Sequence, residues 1–555
     1  MEKIEKKILF QDFQKSNYLN WENSTNLLFN DKLDDYVKKI YEDIAYKPIY
    51  FKEYINNNYL NRQHLITNLT NSINCLLSQD IPLPTPEDFN SSLSENLNSG
   101  QNAIALKLDD ASAYGFNPDE LIIDKIGKNG TSFFTSSDFD KALKNINIEL
   151  YPIFIKTSTN ITSIASVFFY YLLRNKIDIK KITGGFHYDP LSALAQKHEY
   201  PYDYELIFDE IVSIFNWLKF KKSPFSVITI NGNLFNDTGG NAVQELAFTM
   251  SELVLYLKEL LNHGINIDEA ASRIKLSYAI GPNFFIEISK LRAARILWAK
   301  IIKHFGGNKE SQRVWIHTET CKWNKFKTDA YVNILRNTGE ALSAMLGGCN
   351  SINLQYFDKE FGLPNEFSGR ITRNTFLVLK EECDFAGITD IPGGSWYVEN
   401  ITNGLAKNAW ELFQKVEKEG GFYSALDNGF IKEEIEKVKN ERLFNYTKKI
   451  DEFIGNNIYP NPKEKPIEAT EIDYKQVFQQ RHSTLKAHIE KRDNMNVSKL
   501  LDKFNASVSE DPLDAFEYAL NAVQAGATLG EISKPYNVKF NATIKNPIEK
   551  MKLSE

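Results

Sequence analysis

From about residue 100 onward, short runs of apolar and β-branched residues alternate with longer segments of helical periodicity. Between Val243 and Leu257, apolar side chains recur at three- and four-residue intervals, which places them on one face of a helix. The short runs predict strands at residues 104–108, 150–155, 182–186, 227–231, 275–280, 314–318 and 352–356. Strands that alternate with helices indicate a parallel sheet with right-handed crossovers.

A closed eight-stranded (β/α) barrel of the TIM type explains this alternation better than an open doubly wound sheet. An open sheet usually has a glycine-rich phosphate turn after its first strand, and KLDDASAYG at residues 107–115 contains no GxGxxG pattern. We therefore predict an α/β fold with the barrel at residues 91–455. Residues 456–535 are predicted to form a linker and a helical region, and residues 536–555 a tail.

Residues 1–90 lack an obvious core of their own and end in the proline-rich segment DIPLPTPEDFN. The prolines at 82, 84 and 86 prevent regular structure there. This N-terminal extension is predicted either to wrap a partner chain or to pack as a small helical prefix on its own domain.

Composition narrows the functional classes. The 555 residues carry a net charge of −7, so there is no basic footprint for nucleic acid. The four cysteines form no CxxC pair, which favours a reducing compartment. The most apolar stretch, residues 161–173, is about 13 residues long, whereas a membrane span needs roughly 20. We expect a soluble, cytoplasmic protein without nucleic-acid or membrane partners.

Several common catalytic patterns are missing from the sequence. No two histidines are four residues apart, and there is no HExxH motif, so a dedicated metal site is not expected. The sequence also has no GxSxG elbow and no P-loop.

Polar residues follow the predicted strands, where barrel enzymes place their chemistry. After the strand at 227–231, Asn231, Asn233, Asn236 and Asp237 either contact a polar ligand or form the turn into the next helix. His317, inside a predicted strand, is either catalytic or a hydrogen-bonded core residue.

Longer segments resemble one family. RITRNTFLVLKEECDFAGITDIPGGSWYVE at residues 370–399 resembles the RIARNTQ…EE…DPxGGSYYVE signature of the methylmalonyl-CoA mutase family. GQNAIALKLDDASAYGFNPDE, AWELFQKVEKEGGFYSAL and AGATLGEIS are similar to further family segments in the same order. The resemblance covers about residues 100–535. It assigns structural roles to five signature residues: Arg370, Arg373, Asn374, Gly393 and Gly394.

The resemblance implies a barrel threaded by the pantetheine of a coenzyme A ester. It also implies a separate C-terminal flavodoxin-like domain that presents adenosylcobalamin, the radical source for isomerisation of the ester. The cobalt-ligating DxHxxG motif of that domain is absent from this sequence. We expect the chain to end where that domain would begin, and to have no cobalamin-binding domain.

Within the resemblance, the positions of the family's site depart from its pattern. In GNLFNDTG, Leu234 occupies the position of the histidine that hydrogen-bonds the thioester carbonyl, and leucine forms no hydrogen bond. Lys197 stands at the substrate-carboxylate arginine, which keeps the charge without the bidentate fork. Lys359 replaces an acidic residue that contacts the adenosyl group, and the TYxxRPWT segment is not found in residues 45–90.

These departures resemble the small, noncatalytic subunit of heterodimeric methylmalonyl-CoA mutases. We expect no catalytic residue, metal or cofactor in this chain, and a catalytic large subunit that binds adenosylcobalamin as its partner. A vestigial pocket is predicted from five residues: Asn231, Asn233, Asn236, His317 and Gln355. Two alternatives remain open: an active acyl-CoA mutase barrel of the isobutyryl-CoA type with a separate cobalamin-binding protein, and a free-standing barrel that binds CoA esters.

Overall fold

The structure is a computed structural model. It describes residues 18–29, 38–41, 44–47, 49–50, 75–120, 125–196, 199–200, 204–383, 389–464, 467, 472–537, 542–543, 548 and 551.

Parallel strands form the centre of the fold. We number them in chain order: β1 Leu76–Leu77, β2 Ile104–Lys107, β3 Ile153–Lys156, β4 Gly184–His187, β5 Ile228–Asn231, β6 Ile274–Ile280, β7 Ile316–Thr320 and β8 Ser351–Asn353. One sheet contains β2, β3 and β4, and the other has the order β1-β8-β7-β6-β5. Isolated parallel bridges connect the two sheets, from Asp80 to Ala105 and from Gly185 to Ser226. Each strand therefore has a parallel neighbour on either side, which is consistent with a TIM-type barrel.

The seven strands predicted from the sequence are confirmed, with shifted ends. The predicted strand at 150–155 begins only at Ile153, because Leu150 lies in a turn and is exposed. The strand β1 was not predicted. It lies within the residues assigned above to the N-terminal extension, and its Leu76 pairs with Ser351 of β8.

Helices surround the strands. Their bounds are Tyr18–Phe29, Pro86–Asn98, Asp110–Ala113, Ser136–Ala142, Ile161–Arg174, Pro190–Ala195, Tyr204–Lys221, Asn233–Asp237, Ala242–Asn262, Ile267–Ser272, Phe284–His304, Val332–Leu346, Glu366–Leu377, Trp396–Lys418, Phe422–Asp427, Phe430–Thr447, Tyr474–Lys491, Asn494–Glu510, Ala515–Ala525 and Leu529–Asn537. Short 3₁₀ turns occupy Ile179–Lys181, Lys359–Phe361 and Pro512–Asp514, and a π-helical turn occupies Val378–Glu382. Antiparallel pairs join Lys38–Tyr41 to Ile44–Tyr46, and Glu199–Tyr200 to Ala542–Thr543.

The helix Ala242–Asn262 shows how local sequence sets these bounds. The side chain of Asn241 accepts a hydrogen bond from the Gln244 amide, and the side chain of Gln244 accepts one from the Asn241 amide. This capping box satisfies backbone donors that the first helical turn leaves free. The helix therefore begins at residue 242, a short distance after β5. The short helix Asn233–Asp237 lies between the two.

The C-terminal helices pack on the helices around the strands. The Phe516 ring lies 5.2 Å from the Trp217 ring and 6.2 Å from the Phe169 ring, centroid to centroid. The Trp217 indole also donates a hydrogen bond of 2.9 Å to Glu517. The C-terminal helices therefore share one hydrophobic core with the strand region. Across the described ranges, no helix combines the length and the apolar character that a membrane crossing requires.

Candidate functional site

Side chains from strands that are not neighbours meet between the two sheets. The imidazole rings of His187, at the end of β4, and His317, in β7, lie 4.6 Å apart. Phe154 of β3 lies 5.4 Å from His187 and 6.5 Å from His317, between ring centroids. Because β7 pairs with neither β3 nor β4, these rings meet in the space between the two sheets.

Lys275 of β6 lies in the same space without a carboxylate partner among the described residues. Its ammonium donates a 2.7 Å hydrogen bond to the carbonyl of Gly184 and lies 4.8 Å from the ring centroids of both Phe154 and Trp315. Desolvation lowers the pKa of Lys275 to about 7. The interior is thus filled by aromatic rings and an amine that burial drives towards its neutral form.

The two interior histidines are also held neutral. Burial, followed by the proximity of His317, places the pKa of His187 well below its usual range. Burial likewise lowers the pKa of His317, whose Nδ1 is hydrogen-bonded to the Ser351 hydroxyl at 2.8 Å. Neither ring is poised to act as a cationic acid near neutral pH.

A network of opposite charges lies at the carboxyl ends of the strands. The ammonium of Lys156 is 2.9 Å from Asp80 Oδ1 and 2.5 Å from Glu319 Oε1. Burial alone would raise the pKa of Glu319, but Lys156 and the surrounding donors hold it well below its usual range. Lys322 lies 3.8 Å from Glu319 and 3.0 Å from Asp237. The carboxylates of Asp80 and Glu319 therefore each form an ion pair with a lysine.

Two adjacent cavities open at this network. The smaller has a volume of about 230 Å³ and the larger about 470 Å³. Asp80, Lys107, Gln355 and Lys359 line both cavities. Lys359 donates a hydrogen bond to the side-chain oxygen of Gln355. The cavities therefore meet at a border that carries two lysine side chains and the Asp80 carboxylate.

The structure separates the five residues of the predicted pocket. Asn231, Asn233 and Gln355 line the smaller cavity. The amide of Asn233 also donates to the Ser277 hydroxyl at 2.7 Å. Asn236 is buried and accepts a hydrogen bond from Trp323 Nε1, and His317 packs in the interior. The strand ends thus bring three of the five side chains to one cavity.

Leu234 lies in the hydrophobic core and is 2 % exposed. It belongs to the helix Asn233–Asp237, one turn and a half that follows β5 directly. Lys197 lies outside the described residues.

Four charged residues at the strand ends were not among the candidates predicted from the sequence, although a signal existed: Asp80, Lys107, Lys156 and Glu319. Lys107 and Lys156 each end an apolar strand, in IALK and IFIK. A charged residue that closes a buried strand lies where barrel enzymes place functional groups. Glu319, in β7, occupies a comparable position.

Residues of the family signature take part in a buried ion-pair network and in the turn beside it. The guanidinium of Arg292 pairs with Asp390 at 2.8 Å and also contacts Glu399, and all three side chains are buried. Gly393 lies in the turn between these acids, where a Cβ atom would come within 2.5 Å of Asp390 Oδ2. Gly394 has a φ of 85°, a left-handed conformation that favours glycine.

The other signature residues lie on the helix Glu366–Leu377. Arg373 is buried and donates to Asn96 Oδ1 at 2.6 Å, while Arg370 is exposed and Asn374 is half-buried. Within the described ranges, no cluster of three His, Cys, Asp or Glu side chains is suited to hold a metal ion.

Comparisons with known proteins all point to one family. The family model described as methylmalonyl-CoA mutase matches residues 74–542. The chain is 31% identical over 451 residues to the methylmalonyl-CoA mutase large subunit of Porphyromonas gingivalis, covering 81% of this chain and 63% of that protein. It is 30% identical over 458 residues to the methylmalonyl-CoA mutase of Rhizobium meliloti, covering 82% and 64%. With that of Escherichia coli it shares 29% over 463 residues, again 82% and 64%. The chain thus spans less than two thirds of the length of these relatives.

Proposed function

The chain belongs to the methylmalonyl-CoA mutase family, and we propose that it serves as the noncatalytic subunit of a heterodimeric mutase. In this proposal the two parallel sheets close into one eight-stranded barrel. The partner is a catalytic large subunit, which carries out the isomerisation of methylmalonyl-CoA and succinyl-CoA and binds adenosylcobalamin. A cytoplasmic location is part of the proposal, supported by four cysteines that are all free.

The packing of the interior carries this proposal. Phe154, His187, Lys275 and His317 contact one another across the space between the strands. A coenzyme A ester that threads this space would have to displace buried rings, and loss of a buried aromatic side chain's packing costs roughly 3–5 kcal/mol. A filled interior favours a scaffold over a substrate channel.

Leu234 supports the same conclusion. The resemblance places a hydrogen-bonding histidine at this position, and a leucine offers neither a donor nor an acceptor to a thioester carbonyl. Its burial in the hydrophobic core gives it a packing role instead.

The described histidines do not fit a lower ligand for cobalt. His187 and His317 fill the interior, with ring centroids 4.6 Å apart. The other described histidines lie in helices or directly at a helix end: His263, His304, His482 and His488. We therefore assign adenosylcobalamin to the partner subunit.

Copurification and turnover test this proposal. The chain is expressed with and without a methylmalonyl-CoA mutase large subunit from the same organism, and both preparations receive methylmalonyl-CoA and adenosylcobalamin. We expect a stable heterodimer, and formation of succinyl-CoA only when the large subunit is present. Isomerisation by this chain with a separate cobalamin-binding protein would instead establish the isobutyryl-CoA type of enzyme. Tight binding of a CoA ester by the isolated chain, without a complex, would establish the free-standing barrel.

A further inference from the structure

The larger cavity at the strand ends has two chemically different parts. Lys107 and Lys359 lie at its border with the smaller cavity, since they line both. Much of the remaining wall is apolar, formed by Pro82, Leu354, Phe361, Leu363, Pro364 and Ile472. A volume of about 470 Å³ falls in the range of ordinary small-molecule sites.

Charge is not balanced at this border. Among the cavity lysines, Lys156 pairs with Asp80 and Glu319, and Lys322 pairs with Asp237. Neither Lys107 nor Lys359 forms an ion pair with any described residue, and the one hydrogen bond of the Lys359 ammonium runs to the neutral amide of Gln355. Lys107 and Lys359 therefore face both cavities, and Lys128 faces the larger one, without an ion-pair partner among the described residues.

We propose that this cavity binds an organic anion whose carboxylate or phosphate group pairs with Lys107 and Lys359 and whose apolar body occupies the outer part. The anionic group of the ligand pairs with Lys107 and Lys359, as the carboxylates of Asp80 and Glu319 pair with Lys156. The apolar wall favours an anion with a hydrocarbon or aromatic body over a bare inorganic ion. This site requires no mutase partner, so it stands apart from the subunit role proposed above.

Binding of an anion at this site should be accompanied by uptake of a proton. Desolvation, followed by repulsion from Lys322 and Lys107, lowers the pKa of Lys359 to about 7, and the carboxylates of Glu319 and Asp80 oppose this shift only in part. Burial also lowers the pKa of Lys107. A bound anion favours the protonated lysine, so binding near neutral pH draws a proton from the buffer.

Calorimetry with defined probes tests the proposal. The probes are phenyl phosphate, benzoate, inorganic phosphate and the neutral benzyl alcohol, each titrated into the whole chain. We expect phenyl phosphate or benzoate to bind, inorganic phosphate to bind at least about tenfold more weakly, and benzyl alcohol to give no binding up to about 10 mM. The relative affinities of phenyl phosphate and benzoate distinguish a phosphate ligand from a carboxylate ligand.

Variants and buffers locate the binding. Lys107→Met and Lys359→Met are each expected to weaken the aromatic anion at least about tenfold, whereas the exposed control Lys309→Met leaves affinity unchanged. In wild-type protein the binding enthalpy should differ between Tris and HEPES buffers by the amount expected for proton uptake. Absence of binding by every anion, unchanged affinity in both cavity variants, or an enthalpy independent of the buffer would each overturn the proposal. The buffer measurement needs no variant and holds even if a substitution unfolds the chain.

Discussion

His187 and His317 lie on strands that are not neighbours, yet their imidazole rings meet with centroids 4.6 Å apart. The contact is edge-to-face, with an interplanar angle of 71°. A protonated pair would place two positive charges side by side, close to the ammonium groups of Lys156 and Lys275. The interior therefore depends on both rings remaining neutral.

Acidification is expected to destabilise the fold through this pair. Burial holds both histidine pKa values below their usual range, so the unfolded chain binds more protons below about pH 6.5. The free energy of unfolding should then fall by roughly 1.4 kcal/mol per pH unit for each ring that stays neutral. Urea unfolding between about pH 5 and pH 7 measures this slope.

His317→Asn serves as the test variant, because an amide can still hydrogen-bond Ser351. It should be less stable than wild type at neutral pH and should lose less stability on acidification. The exposed His304→Asn is the matched control and should keep the wild-type slope. Parallel slopes in all three proteins would show that the interior pair does not govern the acid response.

Lys275→Met is expected to stabilise the protein. The buried ammonium lacks a carboxylate partner among the described residues, and its desolvation opposes folding, so an apolar side chain of similar size should raise the free energy of unfolding by roughly 1 kcal/mol or more near neutral pH. In wild type the Lys275 pKa is about 7 when folded, against about 10.4 in the unfolded chain. The unfolded chain thus binds the extra proton, and stability should rise with pH between these values.

The Lys275→Met variant should lose that rise, as measured by urea unfolding at several pH values between neutral and alkaline. Lys303→Met, at an exposed position near the end of a helix, is the control and should follow wild type. A destabilised Lys275→Met protein would mean that the hydrogen bond to the Gly184 carbonyl outweighs the cost of desolvation.

Arg292→Leu is expected to destabilise the fold strongly. The guanidinium is 1 % exposed and pairs with Asp390 and Glu399, so its removal leaves two buried carboxylates without their cation. Loss of one partner from a buried ion pair costs roughly 3–5 kcal/mol. Thermal and urea unfolding measure the change.

The control for this network is Arg313→Leu, which removes an exposed ion pair with Glu310. Exposed pairs contribute only about 0–1 kcal/mol, so this variant should unfold close to wild type. Equal losses of stability in both arginine variants would show that the buried ion pairs of Arg292 with Asp390 and Glu399 do not make the expected contribution.

Leu234→His tests whether this position has become part of the core. An imidazole placed there without a hydrogen-bond partner should cost roughly 2–4 kcal/mol of stability and should yield no isomerisation of methylmalonyl-CoA. Leu234→Met preserves side-chain volume and should cost less than about 1.5 kcal/mol. A Leu234→His protein as stable as wild type would contradict the packing role assigned to this position.

The strand predictions succeeded where a buried strand produces a local apolar pattern in the sequence. A strand such as Ile228–Asn231 is apolar and β-branched and is followed by turn residues, so its position can be read locally. β1 left no such mark, because it is two residues long and is held by pairing with Ser351 and Ile352, far along the chain. Its neighbours Ser78 and Gln79 are polar although both are buried.

The candidate site was predictable only in part, for a related reason. Lys156 closes an apolar strand, which a sequence can reveal, but its partner Glu319 is 163 residues away. Asn236 and His317 are polar residues that looked available for a ligand, and the fold instead pairs the Asn236 amide oxygen with Trp323 and the Nδ1 of His317 with Ser351. A hydrogen bond between distant segments leaves no local pattern.

The sequence by itself determined the alternation of strands and helices and the resemblance to one family, because periodicity and an ordered signature are local properties of the chain. The tertiary structure decided what fills the space between the strands. Phe154, His187, Lys275 and His317 come from four strands, and only the register and curvature of the assembled sheets bring them together. The same packing leaves Lys107 and Lys359 facing a cavity, since the available carboxylates are already paired elsewhere.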